Sequence, residues 1–355
     1  MSAFASRLVA WQREHGRRDL PWQATREPYR IWLSEVMLQQ TQVATVAPYY
    51  ERFIARFPDL QSLASAPLDD VLALWSGLGY YLRARNLHRA ARHIVDAHGG
   101  EFPRSHDDLL KLPGIGRSTA AAILAFTRGE RRAILDGNVK RVLARVFAVR
   151  GYPGDRQVEN ELWQLAEALL PEQAIEAYTQ GLMDLGARIC KRTKPKCLLC
   201  PVAADCTAHA EGRAEAYPEP RPARHLPERE TLMLLYLHRG SVLLEKRPPV
   251  GVWGGLWSLP EADVQANPET LCRDRFGVLP AQVRRLDPIR HVFTHFRLTI
   301  HPVAVWFAGS MLTAEEPGMM WTRSEDAGEA ALPAPLKSLF ALLHTLEPTA
   351  DANAA

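Results

Sequence analysis

Four of the five cysteines lie in one 17-residue stretch near the middle of the chain. They follow the spacing C-x6-C-x2-C-x5-C, formed by Cys190, Cys197, Cys200 and Cys206. In an intracellular chain, four close thiols are more often metal ligands than disulfide partners. Zinc typically uses two separated C-x2-C pairs, whereas one tight pair flanked by two single cysteines can bind a 4Fe-4S cluster. The spacing therefore favours a 4Fe-4S cluster over zinc.

The same stretch is rich in cations, which predicts a surface for phosphate. Five basic side chains accompany the cysteines: Arg188, Lys191, Arg192, Lys194 and Lys196. A metal cluster that holds these cations on a rigid loop would create a binding surface for a phosphate backbone. The role of the cluster would then be structural rather than electron transfer. Cys272, which stands alone far downstream, is expected to be an ordinary core thiol.

Two carboxylates stand where chemistry is possible. Glu35 lies in a helical pattern beside Trp32, Val36 and Met37, where a lone carboxylate is costly unless it has a task. Asp136, in the segment ILDGNVKRVL, stands where a helix would begin. Taken alone, Asp136 is an ordinary N-cap residue and Glu35 could be an exposed helical glutamate.

A glycine pair stands between two helical segments in LPGIGRSTA, residues 112–120. Gly114 and Gly116 allow a tight turn and direct backbone N–H groups outward at a helix N-terminus, which suits a phosphate. On its own this motif is weak evidence, because such glycines often only separate helices.

The elements that must position these groups fall into two domains, as the length of 355 residues also suggests. From Pro28 to about Cys190 the apolar residues recur every three or four positions, and prolines interrupt the pattern often, which predicts many short helices. We predict an all-α domain over 1–206 and a proline-rich linker over 207–230. The third segment, 231–355, is predicted to be α+β: TLMLLYL and SVLLEKR form a hairpin, residues 296–307 form a strand, and APLKSLFALLHTL forms a closing helix.

Composition excludes several classes of protein. With 47% hydrophobic and 23% charged residues, the chain is not disordered or fibrous. No apolar run approaches the ~18 residues of a membrane helix, and the N-terminus lacks a signal pattern. We therefore expect a cytoplasmic protein without membrane contact. The net charge is only +3, but residues 81–150 carry 14 Lys and Arg against 6 Asp and Glu, an excess that suits a polyanion or merely a solvated helical face.

The combination of a glycine hairpin, an aspartate 20 residues later and the cysteine loop resembles the endonuclease III superfamily of helix-hairpin-helix DNA glycosylases. Within it, five segments are similar to the adenine DNA glycosylase, or MutY, family: SEVMLQQTQV, LWSGLGYYLRARNLH, LPGIGRSTA, LDGNVKRVLAR and the cysteine loop. The resemblance implies double-stranded DNA with adenine opposite 8-oxoguanine or guanine as the substrate, and base flipping. We therefore expect a nucleoid-associated protein that acts as a monomer.

The resemblance also implies roles for the two carboxylates. Glu35 would protonate adenine, Asp136 would stabilise the positive charge that develops on the sugar, and Asn138 would assist at the sugar. These roles predict opposite pKa shifts: apolar neighbours raise the pKa of Glu35, and helix N-terminal amides keep Asp136 ionised.

Further positions that match the family would contact DNA. Gln40 and Thr41 would wedge into the base stack and Tyr80 would intercalate beside the oxidised guanine. Ser118 occupies the hairpin position where lyase-competent relatives carry a nucleophilic lysine. The resemblance therefore implies a glycosylase that does not cleave the strand.

The second domain resembles a Nudix fold in the segment RPPVGVWGGLWSLPE, residues 247–261. A Nudix hydrolase needs an R-E-x-x-E-E helix to hold magnesium, and the residues that follow contain no paired glutamates. We therefore expect a Nudix-like domain without hydrolase chemistry that recognises 8-oxoguanine. The family's Phe-Ser-His loop would be Phe293, Thr294 and His295.

Three rival functions remain open at this stage. A bifunctional, pyrimidine-specific glycosylase and abasic lyase of the endonuclease III type is disfavoured by Ser118 and by the second domain. A non-catalytic DNA-binding iron–sulfur protein would be expected to lack Glu35 or Asp136. A nucleotide-pool Nudix hydrolase would need the missing glutamates.

Overall fold

The structure is a computed structural model that describes residues 2–222, 225–308 and 317–341. No helix among these residues combines the length and the hydropathy needed to cross a membrane. The end of the predicted closing helix, beyond Ala341, lies outside the described residues.

The chain folds into two compact units, and each unit is built from two separate segments of the sequence. The first unit comprises residues 1–66 and 82–223, and the second comprises residues 67–81 and 224–355. A short helical segment from the N-terminal half therefore belongs to the second unit.

Up to residue 210 the structure describes the following α-helices, all of which belong to the first unit except α5. They are α1 (Ala3–His15), α2 (Pro28–Leu38), α3 (Val43–Arg56), α4 (Leu60–Ser65), α5 (Leu68–Trp75), α6 (Leu82–His98), α7 (His106–Lys111), α8 (Arg117–Arg128), α9 (Gly137–Val146), α10 (Arg156–Ala168), α11 (Ile175–Asp184) and α12 (Thr207–Ala210).

The boundaries of these helices follow from capping residues. α2 starts with Pro28, whose fixed φ suits the first helical position, and the Glu27 carboxylate accepts hydrogen bonds from the backbone N–H groups of Tyr29 and Arg30. α8 ends at Gly129, which adopts the left-handed conformation with φ of 66°.

The core of the first unit is built around α9. Val139, Val142 and Leu143 are fully or almost fully buried and belong to one apolar cluster with residues of α1 and α11. The side chains of Cys190, Cys200 and Cys206 pack against that cluster. The element that begins at Asp136 therefore also supports the cysteine loop.

The second unit contains an eight-stranded mixed sheet. Its strands are β1 (Glu228–His238), β2 (Ser241–Lys246), β3 (Trp257–Ser258), β4 (Glu261–Ala262), β5 (Gln282–Arg285), β6 (Ile289–Val292), β7 (Arg297–Trp306) and β8 (Met319–Arg323). The central order is β3-β2-β1-β7-β5, and β4, β6 and β8 pair with β1, β7 and β2 respectively. β1 and β2 form the predicted antiparallel hairpin, whereas β1 and β7 are parallel from Glu228 opposite Arg297 to Leu237 opposite Trp306.

Alternating residues of β1 supply both faces of the sheet. Met233 and Leu235 pack with Leu336 and Phe340, which lie on α14 (Ala334–Ala341). Leu234 and Tyr236 pack on the other face with α13 (Pro268–Phe276). Because both faces are buried, the strand reads as a continuous apolar run. Cys272 of α13 is fully buried, which confirms the prediction of a core thiol.

The segment 67–81 joins the second unit through hydrogen bonds from its C-terminal part. The hydroxyl groups of Ser76 and Tyr81 donate to the backbone oxygen of Leu332 at 3.3 and 2.9 Å. Asp69 pairs with Lys246 of β2. Both links connect residues more than 170 positions apart, which sequence proximity cannot indicate.

The segment predicted as a linker, 207–230, is not extended throughout. It begins with α12, where Ala208 is fully buried, and Tyr217 is buried as well. β1 starts at Glu228, before the predicted end of the linker. Burial of the Ala208 and Tyr217 side chains explains why the segment is folded, because an extended linker would leave these side chains in water.

Candidate active site

A cavity of about 1210 Å³ opens in the first unit. Its wall includes backbone and side-chain atoms from α2, the turn after α2, α8, the start of α9 and the end of α11. Six of the residues predicted as site residues line it: Glu35, Gln40, Thr41, Ser118, Asp136 and Asn138.

Glu35 lies in α2, and its side chain is largely buried in the wall of the cavity. Its neighbours Ser34, Val36 and Met37 are buried, so little water solvates a charge here. Burial, and secondarily the negative charge of Asp136, raises the pKa of Glu35 to about 8. The predicted upward shift is present, and Glu35 is a carboxylic acid that holds its proton at neutral pH.

Asp136 is the N-cap of α9, and its Oδ1 accepts a hydrogen bond from the backbone N–H of Val139 at 2.8 Å. The Asn138 side-chain amide also points to this carboxylate, with Nδ2 3.4 Å from Oδ2. These donors lower the pKa of Asp136, but burial outweighs them and raises it above its ordinary value. The prediction of opposite pKa shifts is therefore wrong for the free protein, because desolvation acts on both carboxyl groups.

Ser118 connects the hairpin helix to the loop before Asp136. Its Oγ accepts a hydrogen bond from the backbone N–H of Leu135 at 3.0 Å. The hydroxyl therefore fixes the residue that precedes the carboxylate, and no amine is present at this position.

Two residues of this site were missed by sequence reasoning. Arg141, one turn after Asn138, donates from Nη2 to Asn138 Oδ1 and to the Gly186 carbonyl, both at 2.8 Å, and from Nε to the Cys190 carbonyl at 2.8 Å. Gly186 touches Asn138 directly, because a Cβ built on Gly186 would lie 2.5 Å from the Asn138 Cβ. The helical spacing of Arg141 from Asn138 was a usable signal, whereas nothing in the sequence singled out Gly186.

The glycine hairpin has the predicted form between α7 and α8. Gly114 has φ of 81°, and a Cβ there would lie 2.9 Å from the Asn86 Cβ, so a larger residue would be both strained and crowded. Gly116 is the N-cap of α8. Neither glycine lines the cavity.

The turn after α2 holds Gln40 in a left-handed conformation with φ of 56°. Gln40 is exposed, and Thr41 beside it donates from its hydroxyl to the Gln39 carbonyl at 3.3 Å. Tyr80 belongs to the second unit, where it has φ of 50° and a side chain that is 49% exposed. An exposed aromatic ring on a strained turn is suited to contact a ligand.

The four clustered cysteines converge at the end of α11. Burial raises the pKa of Cys197, Cys200 and Cys206, and the neighbouring Cys190 raises each of them further; that of Cys200 rises to about 12. Burial therefore favours the protonated thiols in the free protein, and a metal centre would bind them as thiolates. A cavity bordered by all four thiols lies between them.

Within the described part of the chain, no group of three or more His, Cys, Asp or Glu side chains is placed to hold a metal ion. The donor set, four thiols around one cavity, is the set that a 4Fe-4S cluster would use. A buried arginine holds the start of the cysteine loop. Arg145, almost fully buried, donates to Cys190 Sγ at 3.3 Å and to the carbonyls of Lys191 and Arg192.

In the second unit, Phe293, Thr294 and His295 follow β6 in the turn before β7. Thr294 and His295 are exposed, and Phe293 stacks on Phe296 with ring centroids 4.5 Å apart. Trp253 also contacts Phe293 at 5.3 Å. The turn therefore presents two hydrogen-bonding side chains on an aromatic base.

Comparison with known proteins agrees with this architecture. The model of the HhH-GPD superfamily base excision DNA repair proteins matches residues 33–168, and that of the NUDIX domain matches residues 231–342. The adenine DNA glycosylase of Buchnera aphidicola subsp. Schizaphis graminum is 35% identical over 95% of this chain and 97% of its own. The chain belongs to the adenine DNA glycosylase family.

Other relatives extend this result. The adenine DNA glycosylases of Mus musculus and Homo sapiens are 34% and 33% identical, over 96% and 98% of this chain and 78% and 75% of theirs. A thermostable thymine-DNA glycosylase structure aligns with a TM-score of 0.53 and 32% identity over 59% of this chain and 95% of its own. An endonuclease III–DNA complex, at 22% identity, a TM-score of 0.51 and coverage of 59% and 94%, shares the fold.

Membership of the family confirms the main predictions from sequence. The chain is an adenine-specific DNA N-glycosylase of base excision repair. Its fold class is the predicted one, a helical helix-hairpin-helix domain joined to a Nudix-like domain with a mixed sheet.

Proposed function

We propose that the chain, as a monomer on double-stranded DNA, removes adenine opposite 8-oxoguanine or guanine and leaves the strand intact. The observation that carries the proposal is the placement of two carboxyl groups in one cavity, of which Glu35 has a pKa of about 8. Adenine that is not protonated would leave as an anion and is a poor leaving group. A carboxyl group that keeps its proton at neutral pH can protonate the base and so promote its departure.

Glu35 donates its proton to N7 of the flipped adenine. The bond between C1′ of the sugar and N9 of the base then breaks, and its electron pair leaves with adenine. The sugar becomes positively charged, and Asp136 stabilises that charge as an anion. Water then adds to the sugar and releases a proton, so the product is an abasic site.

The proton resides on Glu35 rather than Asp136 because the contacts of the two carboxyl groups differ. Burial raises the pKa of both groups. Val139, Asn138 and Arg141 lower the pKa of Asp136, whereas the neighbouring carboxyl of Asp136 raises that of Glu35 further. Asn138 orients Asp136 and faces the sugar. The developing cation would lower the pKa of Asp136 further.

The flipped base leaves a gap that protein side chains fill. Gln40 and Thr41 occupy it from the turn after α2, and Tyr80 intercalates beside the oxidised guanine. Stacking contacts of this kind are each worth about 1–3 kcal/mol, which offsets a flip that costs a few kcal/mol. Phe293, Thr294 and His295 read the oxidised purine.

Phosphates are held by two elements. The backbone N–H groups at Gly114 and Gly116 and the start of α8, with Ser118, form one contact. The other is the loop around Cys190, Cys197, Cys200 and Cys206, whose thiolates bind a 4Fe-4S cluster. When bound, that cluster supplies structural support for the cationic loop.

Base release on three duplexes tests the proposal: adenine opposite 8-oxoguanine, adenine opposite guanine, and thymine glycol opposite adenine. We expect adenine release from the first two, with strand breaks only after alkali. Release of thymine glycol with alkali-independent nicking would replace the proposal with a bifunctional lyase. The purified protein should contain about four irons per chain, and stoichiometric zinc without iron would contradict the cluster.

A further inference from the structure

Arg83, at the start of α6, points its guanidinium into the end of α2. The residue is 8% exposed. Its Nη1 donates to the backbone oxygens of Val36, Met37 and Gln39 at 3.0, 2.6 and 2.7 Å. Its Nη2 donates to the hydroxyl oxygen of Thr41 at 3.1 Å. One buried cation therefore holds both the last turn of α2 and the turn that follows it.

The last carbonyl groups of a helix find no N–H donor in a following helical turn. At the end of α2 the Val36 carbonyl accepts one long hydrogen bond, from the backbone N–H of Gln39 at 3.4 Å, so donors from another element are needed. The fork of a guanidinium can satisfy several acceptors at fixed angles, which an ammonium cannot. Arg83 therefore acts as the C-terminal cap of the helix that carries Glu35.

The turn that Arg83 fixes is strained. Gln40 has φ of 56°, which is uncommon for a residue with a side chain. Such a conformation persists only when its surroundings impose it. Hydrogen bonds from Arg83 hold the residues on both sides, Gln39 and Thr41. Gln39 is further linked to α8, where its side-chain amide donates to Thr119 at 3.4 Å.

We propose that Arg83 is a positioning residue for base flipping: it holds Gln40 and Thr41 rigid against the base stack, so that the wedge does not yield when the adenine leaves the duplex. This inference rests on the proposed function, because it assigns a support to the wedge named there. Arg83 itself touches neither the base nor the sugar. Its effect is confined to substrates in which adenine must be extracted from a stack.

Adenine release from two substrates distinguishes a defect in base flipping from a general loss of structure. The first is adenine opposite 8-oxoguanine in a continuous duplex, and the second is adenine in an unpaired bubble, which needs little unstacking. Arg83→Met keeps the length of the side chain and removes every donor. We expect it to slow single-turnover adenine release from the duplex about 10- to 100-fold, the range for lost hydrogen bonds to a charged donor, and to slow release from the bubble less than about threefold.

Flipping can also be followed without chemistry. A duplex with 2-aminopurine in place of the adenine gains fluorescence when the base is unstacked, and we expect this gain to be smaller for Arg83→Met than for wild type. Arg83→Lys retains a charge and fewer well-placed donors, so its duplex rate should lie between the two, and it provides the test if Arg83→Met does not fold. Arg52→Met, which removes an exposed arginine of α3, is the control and should match wild type on both substrates.

Each outcome decides the matter. Selective loss on the duplex, with reduced 2-aminopurine fluorescence, supports the inference. Equal losses of rate on the duplex and the bubble would show that Arg83 only supports the structure. Wild-type rates on both substrates for Arg83→Met would contradict the proposed role. If Arg83→Met does not fold, wild-type rates for Arg83→Lys would contradict it in the same way. Failure of the wild type to release adenine from either substrate would instead overturn the proposed function.

Discussion

The carboxyl group of Asp136 raises the pKa of Glu35 across the cavity that both residues line. Burial is the larger cause of the shift, and together the two effects bring the pKa of Glu35 to about 8. The same arrangement that keeps an acid protonated at neutral pH has a cost in stability, because a buried group with a shifted pKa binds protons differently in the folded and unfolded chain.

Glu35→Gln should therefore stabilise the protein in a pH-dependent way. The folded pKa of about 8 lies above the ordinary glutamate value of 4.5. Glu35 therefore lowers the free energy of unfolding by nothing below pH 4.5 and by an increasing amount as the pH rises towards 8. We expect the variant to melt a few degrees above wild type at pH 8 and close to it at pH 5. Differential scanning calorimetry at both values measures this, and an equal shift at both would contradict the assigned pKa.

Asp136→Asn should abolish turnover without unfolding the protein. Asparagine is as good an N-cap as aspartate, so the hydrogen bond from the Val139 N–H is retained while the negative charge is lost. Adenine release under single-turnover conditions and circular dichroism are the two measurements. A variant that unfolds or loses iron would show that Asp136 is mainly structural.

Gly186→Ala should slow adenine release by displacing Asn138. The added Cβ would lie 2.5 Å from the Asn138 Cβ and 3.0 Å from its Cα, so backbone must move. We expect a loss of roughly tenfold or more in rate, the effect of a misplaced group near the reacting atoms. Gly328→Ala, where a Cβ meets nothing within 4 Å, is the control. Unchanged rates for Gly186→Ala would mean that the position of Asn138 is unimportant.

Thr294→Ala should weaken the preference for 8-oxoguanine over guanine opposite adenine. The exposed hydroxyl is the donor proposed to read the lesion, and one such contact is worth about 1–3 kcal/mol of discrimination. Thr294→Ser should keep the preference. The ratio of single-turnover rates on the two duplexes is the measurement, and a full ratio in Thr294→Ala would assign lesion reading elsewhere. The Thr294 substitutions test lesion recognition more cleanly than a truncation that removes residues 225–355. Such a truncation would also remove Leu332, whose carbonyl accepts hydrogen bonds from Ser76 and Tyr81.

Local signals in the sequence were sufficient for most elements. The glycines at 114 and 116 predicted the hairpin between α7 and α8, and the two apolar segments TLMLLYL and SVLLEKR with a turn between them predicted the β1–β2 pair. The cysteine spacing predicted that four thiols converge. These features depend on residues close together in the chain.

Features that depend on distant residues were not predictable. Arg83 reads as one more cation of a basic helix, yet it is buried because four acceptors around α2 surround it. Segment 67–81 has the same helical pattern as its neighbours, yet it belongs to the second unit, where it binds Leu332 and Lys246. The raised pKa of Asp136 likewise reflects burial by distant segments, whereas the sequence showed only its own helix amides.

The rate of adenine release as a function of pH, for wild type and Glu35→Gln on adenine opposite 8-oxoguanine, tests the central claim most directly. If Glu35 is the acid, the wild-type single-turnover rate should be constant at neutral pH and fall as the pH rises through about 8, because the carboxyl group loses its proton. Glu35→Gln should bind the duplex normally but react about 100- to 10,000-fold more slowly, the usual contribution of general acid catalysis, with no such fall. A Glu35→Gln rate within about threefold of wild type, far inside that range, would contradict the account.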